Sequence, residues 1–448
     1  MRCGSQDHRF SLLTLTMYGL HDSTLANIIE FSCFYVIQNV TPGVILITTR
    51  KGSPMRYICI PWMIWIACRF IRPFGASGSP TWCQAVTQLI IATLQAINLL
   101  LINPLDRRDI SHGVDTADGF WSLLIKSVRL IAQTRAINTP WQVKNVPPHP
   151  KYYTRRGFPP SRCRFLLRQL AIASWQYVVL DIVQNVSRQQ AIERGPPRDV
   201  FLPIVWSVSG GQWAERIVTH LSIWLLVNRL IGDLAYRILS IVFVGIGQES
   251  PSHWPPAFGS MHDLMTLRDF WGSFWHQFMR QPFTSISNYF ARNVLNLTRS
   301  STLERYTNLF FVFLISAIFH VIVDILQSLS MDKSGSMPFY LAFVLGIMIE
   351  DGVQEAWKYA QISGNSREVT TKLLSRITPA WRRAIGMVWV ALWFGVTSTW
   401  YFTPMLQSTT EDLRMVPFSV TKYVDLKPLI GFVLSYGALV GLAFEVEI

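Results

Sequence analysis

The chain has 448 residues, of which 50% are hydrophobic and 15% are charged, and its formal net charge is +13. Soluble globular proteins typically have about 25% charged residues, so this composition excludes an ordinary soluble domain and indicates a membrane protein. The basic residues fall between apolar segments and do not form one patch, so we expect no nucleic-acid partner.

The N-terminal segment predicts a signal-anchor-like start. Arg2, Asp7 and Arg9 precede a short apolar stretch at 10–18. No small-residue cleavage site follows it, so we expect no removed signal peptide. The six cysteines contain no CxxC spacing, so the sequence predicts neither a disulfide framework nor a zinc site, and no bound metal is expected.

Apolar segments predict about nine transmembrane helices, because a helix needs about 20 apolar residues to cross the hydrocarbon core. The candidate spans are 28–49, 57–72, 82–103, 166–184, 217–246, 306–329, 338–357, 384–403 and 428–444. The 57–72 segment is short and contains Pro61, and the 217–246 segment carries Asp233 and Arg237. The latter is therefore either one tilted helix or two shorter ones. The predicted fold is an all-α, polytopic integral membrane protein.

The loops rich in Lys and Arg predict the orientation of these spans. Residues 50–56, 105–168 and 358–383 carry much of the positive charge and fall on one side, which should be the cytosol. The 248–303 loop and the C-terminus then face the cytosol too. Asn185 would be lumenal and Asn296 cytosolic, so a glycan on Asn296 would contradict this topology. We expect a multi-pass protein, most simply of the endoplasmic reticulum.

An apolar run from Leu309 to Leu326 carries His320, and an ionisable residue within a span is a candidate functional group. Histidine suits a general base, because its unperturbed pKa of about 6.5 lies near working pH. Asp324 follows at i+4 on the same helical face and could hold one ring nitrogen, leaving the other free. The alternatives are a helix–helix hydrogen bond for His320 and a buried basic partner for Asp324.

A second candidate segment lies about forty residues upstream. It reads Arg268-Asp269-Phe270-Trp271-Gly272-Ser273-Phe274-Trp275-His276-Gln277, with Arg280 close behind. One interpretation is an amphipathic interfacial helix with aromatic anchors and snorkelling arginines. That interpretation does not account for His276-Gln277, so we predict that the segment holds a charged, group-donating cosubstrate.

This segment, followed by an intramembrane His320, resembles the wax-synthase-like branch of the membrane-bound O-acyltransferases, which includes fungal enzymes that acetylate terpenoids. The segments 103–106, 135–145 and 254–259 support the resemblance, which covers roughly residues 100–330 well. One departure is Ser273-Phe274, where family members often have basic residues.

The resemblance implies a multi-span helical bundle with a tunnel, formed by one membrane domain over residues 1–448, with a catalytic loop at 248–303. Acetyl-CoA would enter from the cytosol as cosubstrate, and a lipophilic terpenoid-like alcohol would enter from the membrane. His320 would be the catalytic base, with Asp324 beside it. His276 would position the thioester or donate to its carbonyl oxygen. The acyl-CoA site would include Arg268, Trp271, Trp275, Gln277 and Arg280.

The sequence is also consistent with three alternatives. A long-chain wax ester synthase would use the same chemistry with a fatty acyl-CoA and a fatty alcohol. A transporter would use Asp181, Asp233, His320 and Asp324 as a polar path, but the paired broken helices typical of transporters are not evident in the sequence. The third alternative is a non-catalytic membrane scaffold. The sequence leaves the oligomeric state open.

Overall fold

The computed structural model describes residues 29–75, 80–111, 119–155, 158–194, 209–261, 264–327, 329–363, 379–408, 415–421 and 424–444. Regular structure in these residues is helical throughout, which confirms the all-α prediction. The chain divides into two compact units, Met1–Gly75 with Gln84–Gln133 and Ala76–Cys83 with Thr134–Ile448.

The first unit contains four main helices. They are α1 (Ile29–Thr48), α2 (Pro54–Gly75), most of α3 (Pro80–Ala96), which continues as a π-helical turn at Ile97–Ile102, and α4 (Phe120–Ala132). Gln38 of α1 donates to the main-chain oxygens of Met63 in α2 and Leu89 in α3, each at 3.2 Å. Polar groups inside a membrane bundle need such internal partners, because lipid offers none.

The second unit contains eight longer helices among the described residues. They are α5 (Arg162–Arg194), α6 (Gly210–Ser222), α7 (Arg229–Gly245), α8 (Arg280–Tyr289), α9 (Thr302–Leu326), α10 (Ser336–Ser363), α11 (Pro379–Ser408) and α12 (Leu426–Phe444). Helix α9 packs along α10, α5 along α7, α6 along α11, and α12 along α5.

Five helices among the described residues are long and apolar enough to cross a membrane. They cover Ile29–Thr48, Arg162–Ser187, Thr302–Leu326, Met331–Tyr359 and Trp381–Phe402. Two shorter apolar helices lie at Val86–Ile102 and Pro428–Phe444. The protein is therefore a multi-pass membrane protein, and five of the predicted spans meet both length and hydropathy requirements.

The two weak candidate spans are also helical. Residues 57–72 lie within α2, which runs through Pro61 without a break. Residues 217–246 form one helical run, in which a π-helical segment at Ile223–Asn228 joins α6 to α7. Asp233 in α7 accepts hydrogen bonds from Arg237 and from Gln176 of α5, both at 2.7 Å, so its charge has partners.

The segment 415–421 lies against α5 through polar contacts. Asp181 accepts from the main-chain N–H groups of Val420 and Thr421 at 2.7 and 2.8 Å. The Asn185 side-chain nitrogen donates to the hydroxyl of Thr421 at 2.6 Å. This amide is therefore hydrogen-bonded within the fold, whereas Asn296 is exposed.

A large aromatic core in the second unit surrounds the predicted site. Trp224, on the π-helical segment, is 3% exposed and contacts the rings of Trp275, Phe339 and Phe394. Burial of aromatic side chains dominates the energetics of such cores. This core joins the segment that carries His276 to α10 and α11.

Candidate active site

The 248–303 segment is not one interfacial helix. After a single helical turn at Leu267–Asp269 it forms a π-helical turn at Phe270–Phe274, and Trp275 is extended. Regular helix resumes only at Arg280, in α8. Trp271 and Trp275 still meet edge to face, with ring centroids 6.1 Å apart. The segment is therefore a folded loop held against the aromatic core.

Arg135 anchors the beginning of this loop. It is 3% exposed, and its guanidinium donates to the main-chain oxygens of Pro255 and Pro256 at 3.0 and 2.7 Å. It also donates to the Tyr236 hydroxyl and lies over the ring of Phe278, 5.3 Å from the centroid. A guanidinium presents several donors in one plane, which suits neighbouring main-chain acceptors.

A glycine allows the two limbs of the loop to touch. The Gly259 N–H donates to the Phe274 main-chain oxygen at 2.8 Å. A Cβ on Gly259 would lie only 2.4 Å from the main-chain oxygen of Ser273. The close approach therefore requires glycine, and it fixes the π-helical turn immediately before His276.

The polar residues predicted to bind the cosubstrate have partners within the protein. Arg280 donates to Gly272 O at 2.6 Å and to Gln277 Oε1 at 2.7 Å, and Gln277 donates to Trp275 O at 2.8 Å. These two side chains thus hold the loop in shape. Arg268 pairs with Asp351 of α10 at 2.7 Å, and its side chain is 44% exposed.

Glu350 of α10 caps the helical turn that opens the loop. Its carboxylate accepts from the main-chain N–H of Leu267 at 2.5 Å and of Arg268 at 3.2 Å. It also accepts from Trp389 Nε1 of α11 at 2.8 Å. The first N–H groups of a helix lack internal partners, so a carboxylate there stabilises the turn.

His276 lies among aromatic rings. Its imidazole stacks on Phe278 with centroids 5.0 Å apart and meets the edge of Phe258 at 5.7 Å. Its Nδ1 is buried and has no hydrogen-bond partner in the described part of the chain. Burial lowers the pKa of His276 to about 3, and the nearby His320 and Arg135 contribute in the same direction. The ring is therefore neutral near pH 7.

His320 lies in α9, eighteen residues after Thr302 and six before Leu326. Its Nδ1 is 2.7 Å from the Ser316 main-chain oxygen, so in the neutral ring Nδ1 carries the hydrogen. The ring stacks on Tyr340 of α10 at 4.3 Å and meets the edge of Tyr401 of α11 at 6.3 Å. This arrangement leaves Nε2 as the nitrogen that can accept a proton.

Asp324 does not hold the His320 ring. The Ser316 carbonyl occupies Nδ1, and Asp324 Oδ2 accepts instead from the hydroxyls of Ser334 and Ser336 at 2.6 and 2.7 Å. The expected Asp324–His320 hydrogen bond is therefore not formed. The reason is that the loop before α10 brings two hydroxyl donors to the carboxylate.

The structure brings the two histidines into one aromatic cluster. Ring contacts connect His276 to Trp275, Trp275 to Trp271, Trp271 to Tyr340 and Tyr340 to His320. The Trp271 Nε1 is buried and has no hydrogen-bond partner among the described residues. No group of three or more His, Cys, Asp and Glu side chains that could hold a metal occurs in the same residues.

The sequence did not predict several site residues that are distant from the two histidine segments along the chain or that have no local pattern. Tyr340, Tyr401 and Glu350 lie in apolar helices, and no local pattern distinguishes them from other core residues. Arg135 belongs to a segment that supported the resemblance, but its contact with Pro255 and Pro256 joins positions about 120 residues apart.

Known proteins are similar to this chain over most of its length. A family model described as "Membrane bound O-acyl transferase family" matches residues 254–343, which include both histidines. Acetyltransferase spyB of Aspergillus fumigatus is 36% identical over 423 residues, covering 93% of this chain and 71% of the relative. Acetyltransferase pyr8 of the same fungus is 35% identical over 440 residues, covering 95% of this chain and 99% of the relative.

Acetyltransferase TRI7 of Fusarium sporotrichioides is 30% identical over 444 residues, covering 96% of each chain. No solved structure matches this chain. Similarity of this extent, over nearly the whole chain and over the loop that carries His276 and the helix that carries His320, confirms the resemblance. The chain belongs to the membrane bound O-acyl transferase family.

Proposed function

We propose that this protein is an acetyltransferase that moves an acetyl group from acetyl-CoA to a hydroxyl of a lipophilic, terpenoid-type secondary metabolite. The relatives are named as acetyltransferases, which supports this reaction. They align with most of this chain, which supports assigning the same reaction to it. One observation carries the mechanism: the His320 ring is bound at Nδ1 and leaves Nε2 to accept a proton.

In this mechanism His320 is the general base. Its Nε2 takes the proton of the acceptor hydroxyl as the alcohol oxygen attacks the thioester carbonyl. A C–O bond forms, the C–S bond breaks, and the proton passes from His320 to the departing CoA sulfur. Transfer is direct within a ternary complex, because no cysteine or serine beside a base suggests an acyl-enzyme.

His276 supplies the hydrogen bond to the carbonyl oxygen. A neutral imidazole carries one N–H donor, and burial keeps this ring neutral. A donor fixed among aromatic rings needs no reorganisation when negative charge develops on that oxygen, which is the condition for electrostatic stabilisation of a transition state.

We assign the acyl-CoA site to the part of the loop that carries Arg268 and Trp271. Arg268 keeps an exposed guanidinium beside Asp351, and Trp271 has a buried N–H without a protein partner. The Trp275 ring forms part of the apolar lining of this site, whereas Gln277 and Arg280 hold the conformation of the loop.

We also propose that the protein has about nine membrane spans and a tunnel that admits the alcohol from the lipid, and that it resides in the endoplasmic reticulum membrane.

The test uses membranes that contain the wild type, His320→Ala or the control Gly211→Ala, whose added Cβ would have nothing within 4 Å. Each is incubated with acetyl-CoA or palmitoyl-CoA and a panel of terpenoid and fatty alcohols, and products are read by mass spectrometry. We expect an acetylated terpenoid with the wild type and the control, and none with His320→Ala.

The other outcomes contradict particular parts of the proposal. Product from palmitoyl-CoA and a fatty alcohol, without acetyl transfer, would favour wax ester synthesis. Acetyl transfer that persists in a well-expressed His320→Ala protein would make His320 structural. A labelled acyl group retained covalently on the denatured protein would replace direct transfer by an acyl-enzyme.

A further inference from the structure

Asp324 lies one turn after His320 in α9, yet its carboxylate closes the turn that precedes α10. Oδ2 accepts from the hydroxyls of Ser334 and Ser336, and the Ser336 N–H donates to Ser334 Oγ at 3.3 Å. Asp324 is 4% exposed and makes no ion pair among the described residues. A single carboxylate oxygen thus holds both ends of the turn 334–336.

This turn packs directly on the main chain of α11. A Cβ on Gly335 would lie 1.6 Å from the main-chain oxygen of Trp400, so the position leaves no space for a side chain. The next residue of α11 is Tyr401, whose ring meets the edge of His320. The turn therefore determines how closely α10 and α11 approach each other beside His320.

Tyr340 follows Ser336 by one helical turn, and its ring forms the closest stack on His320, with centroids 4.3 Å apart at 29°. Tyr340 is 2% exposed and Ser336 is fully buried. A displacement of the turn 334–336 would carry the first turn of α10 with it, because packed side chains have little free space to adjust. The Tyr340 stack then depends on the contact that Asp324 makes.

We infer that Asp324 is a positioning residue that acts on His320 through the turn 334–336 and the rings of Tyr340 and Tyr401. The effect of Asp324 on catalysis rests on the proposed function, because the two rings determine the direction in which His320 Nε2 points toward the acceptor hydroxyl. What Asp324 contributes is an acceptor oxygen at the turn, not a negative charge at the imidazole. The direct route is closed, since Ser316 O occupies Nδ1.

Asp324 as an acceptor at the turn and Asp324 as a negative charge beside the imidazole make opposite predictions for the activity of Asp324→Asn. The Asn Oδ1 still accepts hydrogen bonds from two hydroxyls but carries no charge. We expect Asp324→Ala to lower kcat by about 100-fold with the KM for acetyl-CoA within about twofold, because misplacement of a catalytic group by about 1 Å has that effect. We expect Asp324→Asn to lower kcat by no more than about threefold.

Two further sets of variants test the route. Ser334→Ala with Ser336→Ala should reproduce the loss in Asp324→Ala, and combining all three should add nothing, as for residues that act through one contact. Tyr340→Phe, which keeps the ring, should retain most of kcat, and Tyr340→Leu should not. The inference is wrong if Asp324→Asn lowers kcat as much as Asp324→Ala does. It is also wrong if the loss of kcat in the triple variant is the product of the losses in the serine variant and in Asp324→Ala.

A second readout does not depend on acetyl transfer. Diethyl pyrocarbonate acylates an accessible, unprotonated imidazole nitrogen, and mass spectrometry of the purified detergent-solubilised protein gives the rate at His320, with wild-type protein treated in parallel as the reference. The rate should rise by about fivefold or more in Asp324→Ala and Tyr340→Leu but not in Asp324→Asn, because the stacked ring covers the imidazole.

An unchanged rate in Asp324→Ala would overturn the inference, whatever the activity. A wild type that transfers no acetyl group but shows these rate differences would retain the inference and reject the proposed function. Thermal unfolding of each variant ensures that the rates compare folded proteins.

Discussion

His320 donates its Nδ1 hydrogen to the main-chain oxygen of Ser316, one turn earlier in the same helix, at 2.7 Å. A helix carbonyl already accepts the hydrogen bond of its own turn, and its second lone pair is free for a side chain. Nε2 of the neutral ring is consequently the acceptor. The helix that carries His320 thus supplies the acceptor that fixes the tautomer, and no carboxylate partner is required.

The neighbouring His276 should tolerate only another hydrogen-bond donor. We expect His276→Leu to lower kcat by about 10²–10³-fold, the effect of removing one donor to a developing oxyanion. His276→Asn should retain more activity, because its amide can donate from a similar position. Steady-state kinetics with acetyl-CoA measure both. Equal losses in the two variants would show that shape, not donation, makes His276 necessary.

The contact between Gly259 and the π-helical turn should be sensitive to a single methyl group. A Cβ at position 259 would meet Ser273 O at 2.4 Å and Phe274 Cα at 3.1 Å. We expect Gly259→Ala to displace the turn before His276 and to lower activity by about 10-fold or more. Gly211→Ala is the matched control, because nothing lies within 4 Å of its Cβ. Similar activity in both variants would contradict the argument.

Arg135 should be irreplaceable by lysine. The guanidinium serves Pro255 O, Pro256 O and the Tyr236 hydroxyl at once, and an ammonium on a flexible stem cannot reproduce that planar arrangement. We expect Arg135→Lys to lower the free energy of unfolding by about 2 kcal/mol or more, since hydrogen bonds from a charged group are each worth about 1.5–3 kcal/mol. Thermal unfolding in detergent measures this, and a wild-type melting temperature for Arg135→Lys would contradict it.

The low pKa of His276 predicts a specific loss of stability in acid. The folded ring stays neutral down to about pH 3, whereas the unfolded ring binds a proton near pH 6.5. The stability that the neutral His276 ring contributes is therefore fully present above pH 6.5 and is lost as the pH falls from there toward 3. Between pH 7 and pH 5 the free energy of unfolding of the wild type should fall by about 2 kcal/mol more than that of His276→Asn. Melting curves of both proteins at pH 7 and pH 5 measure the difference, and equal losses of stability in the two would contradict the prediction.

The arginines of the loop illustrate how far residue type alone can lead. Arg268 and Arg280 are equivalent in sequence as basic flanks of an aromatic segment. In the fold, Arg280 turns inward to Gly272 O and Gln277, and Arg268 stays 44% exposed beside Asp351. The difference arises because the segment between them is a π-helical turn followed by an extended residue, so the two arginines do not lie on one continuous helix.

The sequence by itself determined the helical, multi-pass class, and it predicted His320 and His276 as site residues. The class and the choice of His320 follow from local properties, because the length of an apolar run and the free-energy cost of an ionisable group in a span belong to the segment that contains them. The choice of His276 rested on its aromatic, polar segment and on the family resemblance. Tertiary structure decided how those histidines are held. His320 had two acceptors within one turn, Ser316 O and Asp324, and a chain without neighbours does not choose between them. The choice follows from the ring of Tyr340, brought by α10, and from Ser334 and Ser336, which occupy Asp324.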